Sequence, residues 1–246
     1  MDNIRFKKIC HEIVNSDRRK NGIGTLGEKT LHAVLKSYFE PHEDNQEIKL
    51  GKYIADIVNE NGVVEIQTQN FNALRNKLEN FLEFCNVTVV FPIAQTKYLS
   101  WIDMKTGEKS KRRKSPKTGT IYDCFRELYK IKYTLDNPRM NICLVMLEME
   151  ELRYLNGWSK DKKKGSTRCD RIPIDILHEI YLSNPQDYSI FLSENLPNSF
   201  TSKDFAEQAR IKLKTAQTAL NILCYLEVIS KIGKDGNNII YSKNNF

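Results

Sequence analysis

After a short amphipathic helix over residues 1–20, the spacing of hydrophobic residues over about 22–93 predicts a helix, three strands, a second helix and a fourth strand. Apolar residues at helical spacing predict a helix over about 26–39, which Pro41 ends. A second helix is predicted over about 71–84, and a continuous apolar run predicts a buried strand over 87–93. Between the helices, short apolar runs predict strands at 47–50, 53–59 and 63–68. This order is typical of an α/β domain.

A polar segment rich in lysine, glycine and serine divides the chain into two parts. Residues 156–171 have linker composition, with a basic character throughout. We therefore predict an α/β domain over 1–155, a basic linker over 156–171 and a small domain over 172–246. The first domain is also expected to contain a helix near 120–132 and a buried strand over 142–149.

The predicted C-terminal domain contains two helices followed by a hairpin. Thr201 is the expected N-cap of the first helix, with Asp204 three residues later completing a capping box. The second helix is predicted over about 214–227, and alternating strands at 228–231 and 239–243 flank a glycine-containing turn. The arrangement resembles a winged helix-turn-helix.

The polar face of the second helix and the wing present residue types that contact DNA phosphates and base edges. A winged helix can also serve protein contacts, and this alternative stays open. The candidate DNA-binding residues are Lys212, Lys214, Thr215, Gln217, Thr218, Asn221, Lys231 and Lys234.

Composition and charge narrow the class of protein. Of 246 residues, 40% are hydrophobic and 28% are charged, which excludes a disordered or collagen-like chain. The longest clean apolar run, Ile142–Leu147, is far shorter than the ~20 residues that cross a bilayer. The N-terminal residues contain no apolar segment of the signal-peptide type. A cytoplasmic protein without a membrane partner is expected.

The net charge of +7 is concentrated in two segments. Residues 97–119 hold eight basic and two acidic residues, and residues 153–171 hold seven basic and two acidic residues. Concentrated positive charge favours polyanions, because each neutralised phosphate releases condensed counterions. The alternative interpretation is a pair of solvated surface loops.

Two carboxylates share one face of the predicted hairpin. If Asn61-Gly62 forms a two-residue type I′ turn, Asp56, Glu65 and Gln67 all project from the same face of the sheet. Their neighbours on that face are apolar, so an unpaired charge would be costly there. A hard divalent cation bound by two carboxylates and a backbone carbonyl would offset that cost. A salt-bridged polar face is the alternative.

The same residues resemble the PD-(D/E)xK nuclease superfamily. Asp56 is followed after eight residues by Glu65-Ile66-Gln67, and a Gly-Thr-Leu-Gly-Glu segment ending at Glu28 opens the preceding helix. The resemblance implies a restriction-endonuclease-like αβββαβ core in which Asp56 and Glu65 bind Mg²⁺ or Mn²⁺. It further implies that Ile66 contributes its main-chain carbonyl and that Glu28 completes the acidic cluster. Gln67 stands where lysine is most common, and would orient water or phosphate.

These features together predict a metal-dependent DNA endonuclease that a winged helix positions on double-stranded DNA. The full chain also resembles a bacterial family with this architecture, in segments such as 112–117 and 155–159. A role in restriction or phage defence is expected from the class, and homodimerisation is left open. The alternative is a DNA-binding regulator whose nuclease-like domain is inactive and serves dimerisation or effector binding, which the glutamine at Gln67 favours. His32, one helical turn after Glu28, is a candidate proton shuttle or a half-buried structural histidine.

Overall fold

The computed structural model describes residues 2–20, 30–157 and 167–244. The α-helices in chain order are α1 (Asn3–Lys20), α2 (Thr30–Phe39), α3 (Arg75–Leu82), α4 (Phe125–Leu128), α5 (Ser202–Gln208) and α6 (Leu213–Tyr225). The strands are β1 (Gln46–Leu50), β2 (Tyr53–Asn59), β3 (Gly62–Ile66), β4 (Val87–Ile102), β5 (Arg113–Lys114), β6 (Met140–Tyr154), β7 (Thr167–Leu182), β8 (Ser199–Thr201), β9 (Ile229–Asp235) and β10 (Asn238–Lys243). Among these residues, no helix is long and apolar enough to span a membrane.

A large mixed sheet organises the first part of the chain. Its strands follow the order β1-β2-β3-β4-β6-β7, and the short β5 pairs with β4. The three strands β3, β4 and β6 are parallel, whereas β1, β2 and β7 join them in antiparallel pairs. The predicted α/β class is confirmed at this level, because helices lie on both faces of the sheet.

Helices cover each face of this sheet. On one face, α1 and α2 pack side chains such as Phe6 and Leu35 against Ile57 and Val145 of the strands. On the other face, α3 and α4 belong to a second apolar cluster. The helix predicted near 120–132 is replaced by α4 between two 3-10 turns. The sheet is therefore buried on both sides, which explains its continuous apolar strands.

The predicted linker over 156–171 needs a correction. β7 pairs antiparallel with β6 from Tyr154↔Thr167 to Ile142↔Leu182, so 167–171 form sheet and 172–182 belong to it as well. β7 is an edge strand whose outer positions are charged or half-buried. The strand therefore has few consecutive apolar residues, and the sequence pattern predicts a polar linker for its first residues. Residues 158–166 lie outside the described residues.

The strands β4 and β6 also extend beyond their predicted ends. They pair in parallel from Val87↔Met140 to Ile102↔Tyr154. The basic segment after Ile93, which sequence pattern predicts as an excursion, continues as strand to Ile102 and returns through β5. Three of its eight basic residues, Lys97, Arg113 and Lys114, therefore lie on strands of the sheet.

The C-terminal unit follows the sheet directly. A 3-10 turn at Pro185–Phe191 precedes β8, α5, α6 and the β9–β10 hairpin, which pairs with β8. The predicted capping box is present, since the Thr201 side chain accepts from the backbone N–H groups of Lys203 and Asp204. Phe125 of α4 and Phe191 lie 4.5 Å apart between ring centroids. One apolar cluster thus runs through both parts of the molecule.

Candidate active site

A pocket of about 500 Å³ opens beside β2 and β3, between α2, α3 and β7. Acidic, basic and amide side chains converge on it from these elements, although they are distant in sequence. Its polar lining comprises His32, Asp56, Glu65, Gln67, Thr68, Gln69, Asn70, Lys77, Arg168, Asp170 and Arg171. Three of the four predicted catalytic residues are in this set, namely Asp56, Glu65 and Gln67. The fourth, Glu28, lies outside the described residues.

The β2–β3 hairpin has a different register from the predicted one. Asn59 pairs with Gly62 and Ile57 pairs with Val64, so the turn is Glu60-Asn61 and Gly62 already belongs to β3. Gly62 has a φ of +114°, and a Cβ atom there would meet the carbonyl oxygen of Asn86 at 2.3 Å. Only glycine fits this close approach, which places it in the strand rather than the turn.

The register shift brings the two carboxylates closer together than predicted. Continuing the pairing by one residue sets Asp56 opposite Glu65, whereas the predicted register sets Asp56 opposite Gln67. Because the shift is by two positions, all three residues keep the same face of the sheet. The two carboxylates are therefore close enough for the charge of Asp56 to act on Glu65.

Asp56 is held as a carboxylate. Its Oδ2 accepts a hydrogen bond from the backbone N–H of Ile66 at 2.7 Å and lies 3.3 Å from Nε2 of His32. Burial alone would raise the pKa of Asp56, but the His32 contact, the Ile66 N–H and the nearby Lys77 together lower it. His32 therefore fixes the orientation of Asp56 and favours its charged form.

Glu65 is the more unusual carboxylate because it is only 2% exposed. Its Oε2 accepts from Nζ of Lys77 at 2.6 Å. Burial and the charge of Asp56 raise the pKa of Glu65 to about 7, against the opposing effects of Lys77 and of the backbone N–H of Asp56. Within the part of the chain that the structure describes, the other oxygen, Oε1, is buried without a hydrogen-bond partner. Such an orphaned acceptor is rare in a folded protein.

The unpartnered Oε1 of Glu65 shows whether the residues of the site have the chemistry to bind a divalent cation. A metal ion beside Asp56 and Glu65 would satisfy Oε1 and relieve the repulsion between the two carboxylates. The described ranges contain no group of three or more His, Cys, Asp or Glu side chains placed to hold a metal ion. The carboxylate pair is thus a partial shell, to which water and a main-chain carbonyl such as that of Ile66 can add. The donor set fits a hard cation of the Mg²⁺ type.

Gln67 lines the pocket but uses its amide nitrogen locally. Nε2 donates to the backbone carbonyl of Gln69 at 2.6 Å and lies 3.4 Å from that of Asn70. Asn70 has a left-handed φ of +62°, so these contacts stabilise a strained turn after β3. Gln67 therefore stabilises the turn that forms this wall of the site.

Four charged residues of the pocket were missed by sequence reasoning. Lys77 flanks the apolar stripe of α3 and forms an ion pair with Glu65, a contact that no sequence pattern predicts. Asp170 hydrogen-bonds the hydroxyl of Thr30 across 140 positions, and Arg168 and Arg171 flank it on β7. Asp170, Arg168 and Arg171 lie in the segment that the sequence predicts as a linker. Only the pairing of β7 with β6 brings them to the site.

The predicted DNA-binding residues lie on α6 and the β9–β10 hairpin. Lys212, Lys214, Gln217, Asn221, Lys231 and Lys234 are exposed, and Thr215 and Thr218 are half-buried. Asn221 is not open to solvent on all sides, because its Oδ1 accepts from Nζ of Lys132 at 3.0 Å. Thr218 donates back to the carbonyl of Lys214 at 2.9 Å. The first half of α6 is therefore the more accessible part of this face.

Comparison with known proteins gives one family and one relative. Residues 29–183 match the model of a family described as Domain of unknown function (DUF8091). The matched range ends at the last residues of β7, so it includes Asp56, Glu65 and Lys77 and stops before the C-terminal unit. An uncharacterized protein of Treponema pallidum (strain Nichols) is 28% identical over 186 residues, which cover 75% of this chain and 74% of that protein. No solved structure matches.

Proposed function

The chain belongs to the DUF8091 family, and we propose that it is a divalent-metal-dependent deoxyribonuclease that hydrolyses phosphodiester bonds of double-stranded DNA. The observation that carries this proposal is the paired Asp56 and Glu65, with the buried, unpartnered Oε1 of Glu65 beside the ammonium of Lys77. The element order α2, β1–β3, α3, β4 is the order that the resemblance to PD-(D/E)xK nucleases implies.

The proposal assigns a role to His32, to the two carboxylates and to the two arginines of the site. Asp56 and Glu65 hold the cation, which activates water and stabilises charge on the phosphate when bound. His32 keeps the Asp56 carboxylate oriented. Arg168 and Arg171 bind the substrate phosphates, because guanidinium groups pair well with phosphate oxygens.

Lys77 supplies the ammonium that the sequence motif lacks at Gln67. Its Nζ lies 2.6 Å from Glu65, on the side of the pocket that α3 covers. From there it can hydrogen-bond to the attacking water or to a phosphate oxygen in the transition state. The glutamine at Gln67 is therefore compatible with catalysis, since the positive charge is provided from a neighbouring helix.

The C-terminal unit supports double-stranded DNA as the substrate. Its helices α5 and α6 are followed by the β9–β10 hairpin, which is the order of two helices and a wing that the sequence predicts. Exposed lysines lie at the start of α6 and on β9, where they can contact backbone phosphates. This unit would hold the duplex while the pocket hydrolyses it.

A second candidate function is a DNA-binding regulator. The ion pair of Lys77 with Glu65 favours it, because an ammonium already balances one carboxylate of the site. In that case the pocket would bind an effector and the C-terminal unit would bind DNA without cleavage.

Cleavage of supercoiled plasmid distinguishes the two functions. The wild type is expected to nick plasmid with Mg²⁺ or Mn²⁺ and to be inactive in EDTA. Asp56→Asn should reduce the rate at least a hundredfold, whereas the exposed Asp44→Asn, with the same charge change, should retain it. Tight binding without cleavage in any divalent metal would favour the regulator.

A further inference from the structure

A second, smaller pocket adjoins the candidate active site. It has a volume of about 170 Å³, roughly a third of its neighbour, and the two share Thr68 and Arg171 in their walls. Its charged lining consists of Lys97, Lys117, Asp123, Glu151 and Arg171. We call it the Glu151 pocket.

The charges of the Glu151 pocket are arranged around one buried carboxylate. Glu151 is 3% exposed, and Lys97 and Arg171 lie 3.8 Å and 4.0 Å from its Oε2. Arg153 forms a close ion pair with Oε1 of the same residue. A single carboxylate thus faces three cations on one face of the sheet, and it cannot neutralise them all.

Lys117 adds a further positive charge from a loop that is firmly anchored. The N–H of Ser115 donates to the carbonyl of Lys97 at 2.8 Å, and the N–H of Gly119 donates to that of Ala94 at 3.1 Å. A Cβ atom at Gly119 would meet the Ala94 oxygen at 2.4 Å, so the loop lies directly on β4. The Lys117 side chain is exposed and can respond to a ligand.

The outer wall of the Glu151 pocket contains one more carboxylate, Asp123, which already accepts a backbone hydrogen bond. Asp123 accepts from the backbone N–H of Thr120 at 3.2 Å, in the capping box of the 3-10 turn at Ile121–Cys124. Four cations, including Arg153 from outside the lining, therefore stand against Glu151 and Asp123, and Asp170 on β7 also attracts Arg171. Burial and mutual repulsion among the cations lower the pKa of Lys97 and of Arg171, despite the attraction of Glu151. The excess positive charge matches one phosphate group.

We propose that the Glu151 pocket binds a phosphate group of a nucleic acid strand whose neighbouring phosphodiester lies in the active site. The proposal rests on the proposed nuclease function for its substrate and on the geometry above for its site. Arg171 lies in the wall of both pockets and would bridge the two phosphates. The phosphate can be a terminal 5′-phosphate or an internal diester, because both present at least two non-bridging oxygens that accept charge-assisted hydrogen bonds.

The site is tested first with inorganic phosphate and the full chain in EDTA, so that no cleavage occurs. Calorimetry should detect binding by the wild type and about tenfold weaker binding by Lys117→Ala, since one charge-assisted contact is lost. Lys114→Ala, on the adjacent strand β5, removes the same charge outside the pocket and should bind as the wild type does. Glu151→Gln should bind more tightly, because it removes the competing carboxylate. Equal affinity of Lys117→Ala, Glu151→Gln and wild type would overturn the proposal.

Two oligonucleotide duplexes then identify the source of the phosphate. If the pocket takes a chain end, a 5′-phosphorylated duplex should bind more tightly than its 5′-hydroxyl counterpart, and Lys117→Ala should abolish the difference. If it takes an internal phosphate, Lys117→Ala should weaken both duplexes equally. Asp56→Asn should abolish cleavage without removing the effect of Lys117→Ala on inorganic phosphate binding, so a failed nuclease proposal and a failed pocket proposal give different results. Duplex binding that is insensitive to Lys117→Ala would contradict both sources.

Discussion

Lys77 on α3 and Glu65 on β3 form an ion pair of 2.6 Å, while the second oxygen of Glu65 is buried with no hydrogen-bond partner among the described residues. The pair joins an ammonium to a carboxylate whose pKa is raised to about 7. A buried carboxylate is costly unless both of its oxygens have partners. The arrangement is therefore typical of a site that binds a ligand.

The Lys77 side chain is expected to contribute to catalysis rather than to folding alone. Lys77→Met should lower the rate of plasmid cleavage by about a hundredfold, because one charge-assisted contact in the transition state is lost. Lys77→Arg should restore part of the rate. Steady-state kinetics should show the loss in kcat, with KM changed little, and the exposed Lys49→Met serves as control. A loss confined to KM would indicate that Lys77 only binds DNA.

The raised pKa of Glu65 predicts the pH dependence of stability in the absence of metal. The folded form binds this proton more tightly than the unfolded chain, in which the pKa of Glu65 is near its usual value of 4.5. This group therefore stabilises the folded state less and less as pH rises from about 4.5 to about 7. The thermal midpoint of wild type minus that of Glu65→Gln should fall between pH 5 and pH 8.

Mg²⁺ should reverse the trend at the upper end of this range. Cation binding requires the ionised carboxylate, so it releases protons near pH 7 and raises the midpoint of the wild type more at pH 8 than at pH 6. Differential scanning calorimetry of both proteins checks these expectations. A midpoint difference that is constant with pH would show that Glu65 titrates normally.

Gly62 is expected to be essential for the register that pairs Asp56 with Glu65. Gly62→Ala combines a φ of +114° with a contact of 2.3 Å to the Asn86 carbonyl, so β3 must shift. The free energy of unfolding should fall by about 2–3 kcal/mol, and cleavage should be lost. Gly51→Ala is the matched control, since its φ is +59° but no described atom lies within 4 Å of the added Cβ. Chemical denaturation should give a loss of only about 1 kcal/mol there.

The lysines at the start of α6 should bind DNA without affecting the chemistry. Replacing Lys212 and Lys214 by alanine should weaken duplex binding and reduce the slope of log K against log salt by about 2, because two phosphate contacts are lost. The rate of cleavage of saturating DNA should be unchanged. Lys49 and Lys52, exposed near the β1–β2 turn, supply a double alanine control. An unchanged salt slope would favour a protein-binding role for this unit.

Periodicity predicted the local elements of this chain well, because each depends on residues within one segment. The 53–59 strand and the Thr201 capping box are confirmed as predicted. The predicted register was wrong, but Asp56, Glu65 and Gln67 still share one face of the sheet. A shift of two residues leaves each side chain on the same face.

Long-range pairing was not predictable in the same way. β7 is charged because it is an edge strand, and its position in the sheet depends on β6 rather than on its own pattern. Arg168, Asp170 and Arg171 therefore reach the pocket from a segment that resembles a linker. Lys77 reaches Glu65 through the packing of α3 on the sheet, which no spacing along the chain encodes.

Anomalous diffraction from a crystal soaked in Mn²⁺ locates the cation without any assay of activity. We expect a single strong peak between the carboxylates of Asp56 and Glu65, within coordination distance of Oε1 of Glu65, and no such peak in crystals of Asp56→Asn. A map in which that position is empty at millimolar Mn²⁺, with Lys77 still paired to Glu65, would contradict a metal-dependent site.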